Sequence, residues 1–161
     1  MIAAETTSSG QPAPSAIVVP FVRSVRDMFQ TMLSMEVTIG KPYRKTGSHG
    51  APYVSGVIGF SGQLTGCVVV GFPRNVANIL VEKFAGAAMD DSTPDFADAI
   101  GEITNILVGS AKSAMEMKVS ISIPSVIIGT GYTVAGLSAI PCFIIPCSCA
   151  AGEFTIEISV Q

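Results

Sequence analysis

Histidine is almost absent from this sequence, and charge is scarce. His49 is the only histidine among 161 residues, in a loop between Gly47 and Gly50. A zinc centre built on imidazoles, or a nucleophile–base pair of the Ser–His or Cys–His kind, therefore lacks its parts. A Walker-type phosphate loop is missing as well. Charged residues make up 13% of the chain, about half the ~25% usual in soluble domains. Nine Lys and Arg against twelve Asp and Glu give a net charge of −3, which offers nucleic acid no basic footprint.

Unbroken apolar runs are missing too, although the mean hydropathy of +0.55 is high. No charged residue occurs from Val119 to Gly152, yet Pro124, Gly129, Gly131, Gly136, Pro141 and Pro146 interrupt that stretch. A spanning helix needs ~20 apolar residues in one run, so this segment reads as short strands and no membrane partner is expected. No basic leader with an apolar stretch opens the chain, so no signal peptide is expected. Cys67, Cys142, Cys147 and Cys149 then read as reduced, buried thiols rather than a disulfide framework. The expected compartment is the cytoplasm.

What is present suits one domain. Hydrophobic residues are 48% of the chain, enough for a single core at this length. Residues 1–16 form a Ser/Thr/Pro/Ala tail with little to bury, read as disordered, and residues 17–161 form the domain. A helix is expected from Pro20, with Phe21, Val25, Met28 and Met32 as its apolar stripe. A strand follows at 36–41, then a loop at 42–52, then two strands flanking Ser61-Gly62-Gln63 as a hairpin. Pro73 opens a second helix to about Ala88. A third runs from Thr93-Pro94 to about Met117, with Thr93 as cap and Asp95 and Asp98 in the positive field of its start. Strands are expected at 118–123, 126–134, 138–148 and 153–160. The fold class is α+β, a mainly antiparallel sheet with helices on one side.

The chain also resembles itself. Phe21, Val25, Met28 and Met32 have the spacing of Phe96, Ile100, Ile103 and Leu107, offset by 75 residues. MEVTIGKP at 35–42 matches MKVSISIP at 117–124, offset by 82. The difference of seven is two helical turns, which makes the second helix the longer copy of a duplicated helix-plus-strands unit.

The third helix carries the most chemistry. Phe96, Ile100, Ile103, Leu107 and Ala114 form its apolar face, while Asp98, Glu102, Asn105, Gly109, Lys112 and Glu116 share another. Glu102 and Asn105 stand ~60° apart around the axis and ~4.5 Å along it, so one partner surface could meet both. A solvated face is one reading of this stripe. The other is a working face, because Asp98 and Glu102 are like charges one turn apart, and Gly101 and Gly109 each cost a helix ~1 kcal/mol. Close approach by another backbone would account for the glycines.

The spacing Asp98-x3-Glu102-x2-Asn105, followed by Pro124, resembles the signature of the CheC/CheX family of chemotaxis phosphatases. The wording DAIGEITNILVGSAKSAM and the order of elements are most similar to its CheX branch, and the resemblance covers about residues 17–161. It implies an enzyme that removes the phosphoryl group from the aspartyl phosphate of a CheY-like receiver domain. Glu102 would pair with a receiver lysine, and Asn105 would orient the attacking water, as the glutamine of GTPases does. The Mg²⁺ would be carried by the receiver, with no cofactor in this chain. Gly101, Gly109 and Lys112 would face the approaching partner. The family also implies a homodimer, for which the charge-poor strands at 119–150 are suited. A dimeric CheX-like module that binds receivers without hydrolysis is the alternative.

The chain departs from the CheC pattern of two sites. The first helix carries Arg23, Asp27 and Gln30 at the positions matching Asp98, Glu102 and Asn105, and that copy reads as inactive. Pro124 lies nearer Asn105 than in CheC-type sequences, so a strand edge or turn is its plainer reading. Asp98 has a plain reading too, in the field of the helix start. Lys41, Arg44 and Lys45 form the one basic cluster, read as a solvated loop.

Overall fold

In the computed structural model, residues 12–47, 50–133 and 140–161 are described. The first helix, α1, spans Pro14–Met32 rather than starting at Pro20. Pro14 takes the helix-start position that suits a proline, and residues 14–16, read as tail, belong to the helix. Pro20 stands inside α1 without a donor for the preceding turn, where a proline normally breaks a helix. Burial of Ile17, Val18 and Phe21 holds that first turn against the core. Residues 1–11, and with them most of the predicted tail, lie outside the described residues.

Four strands follow α1: β1 (Val37–Ile39), β2 (Tyr43–Arg44), β3 (Val54–Gly62) and β4 (Gly66–Phe72). The expected loop at 42–52 thus holds a two-residue strand, while His49 is outside the described residues. Helix α2 (Arg74–Ala85) ends at Gly86 in the left-handed conformation, and α3 spans Pro94–Ala114. Then come β5 (Val119–Ile121), β6 (Ser125–Ile128), β7 (Cys142–Cys149) and β8 (Gly152–Val160).

All eight strands join one antiparallel sheet in the order β1-β7-β8-β4-β3-β5, with β2 also on β7 and β6 also on β3. This order is the same read from either end if the halves are exchanged. The two hairpins, β3–β4 and β7–β8, meet at the centre, and each half lends its short strands to the hairpin of the other. The expected 82-residue offset relates β1 to β5, and Gly40 N–H on Pro146 O (2.8 Å) has its counterpart in Ser122 N–H on Gly59 O (2.9 Å). The helices do not keep the expected 75-residue offset: α1 has 19 residues and α3 21, so α3 is not two turns longer. Their ends lie 82 residues apart as the strands do, and Met32, matched in sequence to the buried Leu107, is exposed.

The core lies between the sheet and the helices. Val54, Ile58, Val68, Val70, Phe72, Ile145, Ile156 and Ile158 face Phe21, Phe29, Leu80, Phe96, Ile100, Ile103 and Leu107, all essentially without exposure. Phe29 stacks on Phe154 at 5.0 Å between ring centres, fixing α1 over β8. Ser24 of α1, buried against α3, donates its hydroxyl to the Leu107 carbonyl. Among the described residues no helix is long and apolar enough to cross a membrane.

Candidate functional site

Helix α3 is placed by its capped start and its buried face. Thr93 caps it by accepting the Phe96 N–H at 3.4 Å, and Thr93 itself donates to the Asp90 carbonyl at 2.7 Å. Arg74 of α2 holds the same turn through Asp91 at 2.6 Å. The buried face runs Phe96, Ile100, Ile103, Leu107 and Ala111. Ala114, expected in that row, is exposed, because the helix runs past its cover there. Thr104, also fully buried, turns its hydroxyl to the Ile100 carbonyl at 2.8 Å and packs its side chain where Gly56 of β3 leaves room.

The opposite face is open. Asp98 and Glu102 are exposed, and Asn105, Gly109 and Lys112 are half-buried. The predicted row is thus one continuous strip along α3. Glu116 is exposed just beyond the helix end. Asp98 and Glu102 point two carboxylates outward one turn apart. Among the described residues no group of three His, Cys, Asp or Glu side chains converges to hold a metal ion.

Gly101 does not face a partner. It is buried, and a Cβ there would stand 3.5 Å from Pro124 Cγ and 3.6 Å from Val126 Cγ2. The close approach expected at this glycine is made by the chain's own β5–β6 connection, so Gly101 leaves the partner-approach set. At Gly109 a Cβ would meet nothing within 4 Å, so this glycine lies open on the strip. Pro124 is the turn between β5 and β6, as its plainer reading held, and it also leans on the site helix.

Sequence reasoning missed the residue before it. A strand over 118–123 would alternate Val119, Ile121 and Ile123 onto one face. Instead β5 stops at Ile121 and Ile123 is 86% exposed, nearly twice the 46% of Tyr43, the next most exposed large hydrophobic among the described residues. Ser122 causes the departure. Its hydroxyl accepts the Gly59 N–H at 2.9 Å, a place normally taken by a strand carbonyl, and donates to the Ile123 carbonyl at 2.9 Å. Nothing in the alternation itself could have revealed this.

The first-half counterpart differs at each point. Arg23, Asp27 and Gln30, matched in sequence to Asp98, Glu102 and Asn105, are all exposed on α1. Of the basic cluster, Lys45 is tied to Glu157 at 2.9 Å across the outer sheet face. The four cysteines are free thiols. Burial pushes Cys147 up to about 12, with the neighbouring Cys149 adding to the rise, and burial also raises Cys67 and Cys142.

Residues 54–148 match the family described as chemotaxis phosphatase CheX. The chemotaxis protein CheX of Desulfovibrio desulfuricans superposes with a TM-score of 0.82 at 33% identity, covering 90% of this chain and 99% of that one. CheX from Vibrio vulnificus gives 0.79 at 28% identity, covering 90% and 99%. The CheX chain solved in a CheX–CheY–BeF3–Mg²⁺ complex from Borrelia burgdorferi gives 0.76 at 22% identity, covering 90% and 97%. Among curated proteins none matches the chain.

Proposed function

The chain belongs to the CheX family of chemotaxis phosphatases, and from that premise we propose that it hydrolyses the aspartyl phosphate of a CheY-like receiver domain through Glu102 and Asn105. The observation carrying this reading is the open strip on α3, where an exposed carboxylate and a half-buried carboxamide stand one turn apart on a helix pinned at its start. A buried strip would have favoured a purely structural role. The Borrelia relative solved with CheY supports a receiver as the partner.

The division of labour follows from side-chain chemistry. Glu102, exposed before docking, offers a carboxylate to a lysine of the receiver and sets the register of the complex. Asn105 cannot act as a base at neutral pH, but its amide can hold a water by hydrogen bonds and aim it in line at phosphorus. The water oxygen bonds to phosphorus as the bond to the aspartyl oxygen breaks, leaving inorganic phosphate and a free receiver carboxylate. A hundredfold acceleration of so labile a bond needs only ~2.7 kcal/mol, within reach of positioning alone. Mg²⁺ belongs to the receiver in this scheme.

The test is loss of label from a ³²P-phosphorylated CheY-type receiver with wild type, Glu102→Ala and Asn105→Ala. Acceleration by wild type, and none by Asn105→Ala at saturating protein, establishes the phosphatase and its amide. Binding without acceleration by wild type would establish the non-catalytic module instead. We further propose that the protein acts as a homodimer joined through its charge-poor strands. Among the described residues, β1 at one end of the sheet and β5 with β6 at the other each keep one unpaired edge, which suits sheet extension.

A further inference from the structure

Ile123 is an isoleucine held out in water, a costly position for a side chain worth ~1.5–3 kcal/mol when buried. Its backbone is pinned on both sides: Ser122 is locked to Gly59 by its N–H and its hydroxyl, and Pro124 rests over Gly101. Gly101 shares the helix row of Asp98 and Asn105, three residues before and four after it, so this pinned turn borders the strip. We propose that Ile123 is the apolar anchor of the receiver-docking surface, setting affinity beside Glu102 and Asn105 without taking part in the hydrolysis.

The duplicated half supplies an internal control. The 82-residue offset, confirmed by the β1–β5 match and the paired Gly40 and Ser122 hydrogen bonds, places Lys41 where Ile123 stands and Pro42 where Pro124 stands. Lys41 is exposed like Ile123, so the position is open in both halves. An apolar side chain occurs there only in the half with the Glu/Asn pair. A solvated turn has no use for isoleucine. A partner with an apolar depression beside its phosphorylated aspartate does, and such docking anchors are fully desolvated on binding, ringed by polar contacts. Lys41 at the same place would bring a hydrated cation instead.

This inference rests on the receiver as partner, and its test separates the two. Steady-state dephosphorylation of ³²P-labelled CheY-type receivers is compared for wild type, Ile123→Ser, Ile123→Lys and Ile123→Val. Equilibrium binding to the beryllofluoride-activated receiver and solution mass are measured in parallel. The expected result is a KM and Kd raised about tenfold by Ile123→Ser and further by Ile123→Lys. The valine variant stays within threefold, kcat is retained and the mass is unchanged. An unchanged KM and Kd, a loss confined to kcat, or a loss of the dimer in Ile123→Ser overturns it. Should wild type bind without hydrolysing, the phosphatase reading falls, and the Kd series alone decides for or against the anchor. If no receiver binds wild type, both fall together.

Discussion

Thr104 of α3 sits on Gly56 of β3, with the glycine's missing side chain filled by the threonine's hydroxyl and methyl groups. This contact sets how deeply α3 rides on the sheet, and therefore how far its neighbour Asn105 rises from the core. A Cβ at Gly56 would overlap the hydroxyl and stand 2.9 Å from Thr104 Cβ and Cγ2. Gly56→Ala should cost about 3 kcal/mol in urea unfolding, as overpacking of a rigid core does. Adding Thr104→Ala to that variant should recover part of the loss, leaving only the Cβ contact. Equal losses in the single and double variants would show that the strand, not the helix contact, demands the glycine.

Gly101 and Gly109 look alike in the sequence but lie on opposite accounts of the helix. Alanine fits at both, at ordinary van der Waals distance from Pro124 and Val126 in one case and in open space in the other. Each replacement should stabilise the helix by ~0.5–1 kcal/mol, raising Tm by about 2–4 °C per kcal/mol. Their effects on turnover should part. Gly101→Ala keeps full activity, since its neighbours belong to the same chain. Gly109→Ala, more stable yet slower, would mark the place where the receiver comes closest. Equal activity in both would remove Gly109 from the docking surface.

The helices, the hairpins and the duplication were legible in the sequence because each rests on periodicity or on a turn signal. The proline start and Thr93 cap of α3 and the hairpin at Gly62 follow from such local rules, whereas β1 keeps only three of the six residues expected of it. Two things were not legible. Pro20 reads as a helix start, and only the burial of Ile17 and Val18 shows that tertiary packing overrides it. Ile123 reads as a buried strand residue, and only the Ser122 hydroxyl bonded to Gly59 shows where the ladder ends. The second depends on a partner 63 residues away and the first on tertiary packing, both beyond any local pattern. The Glu102–Asn105 spacing was visible at once, but its openness to a partner was not.

Salt should separate Glu102 from Asn105. An exposed carboxylate acts on a partner lysine through an interaction that screening weakens, with a Debye length of about 8 Å at physiological ionic strength. Glu102→Gln should raise KM about tenfold with kcat within threefold, and should flatten the dependence of kcat/KM on salt. Asn105→Asp should do the reverse, lowering kcat by a hundredfold or more, since a carboxylate repels the phosphoryl oxygens it must approach. Identical profiles for the two variants would show that they share one role.

Alkaline stability tests the buried thiol. In the folded chain Cys147 is held up to about 12 by burial, against 9.0 for an ordinary thiol. Above pH 9 the unfolded chain releases this proton while the folded chain keeps it, so the unfolded state binds fewer protons and stability falls as pH rises. The contribution is fully present below pH 9 and is lost as pH climbs toward 12, with a slope approaching ~1.4 kcal/mol per unit from this one group. Cys147→Ala should flatten the slope by that amount. An unchanged slope would place the alkaline loss on other groups.

The first half should resist repair. Asp27→Glu with Gln30→Asn recreates the pair on α1, in a chain whose own Asn105 has been replaced by alanine. If the pair alone made the site, label should again leave the receiver. One further difference argues that it will not. In the strand register Lys41 presents a cation where Ile123 presents an apolar surface. Adding Lys41→Ile to the graft should restore measurable turnover, on the order of a tenfold acceleration above the Asn105→Ala background, because the turn then carries its anchor. Full activity from the two-residue graft would show that the helix carries the whole site and that the turn beside it is only structure.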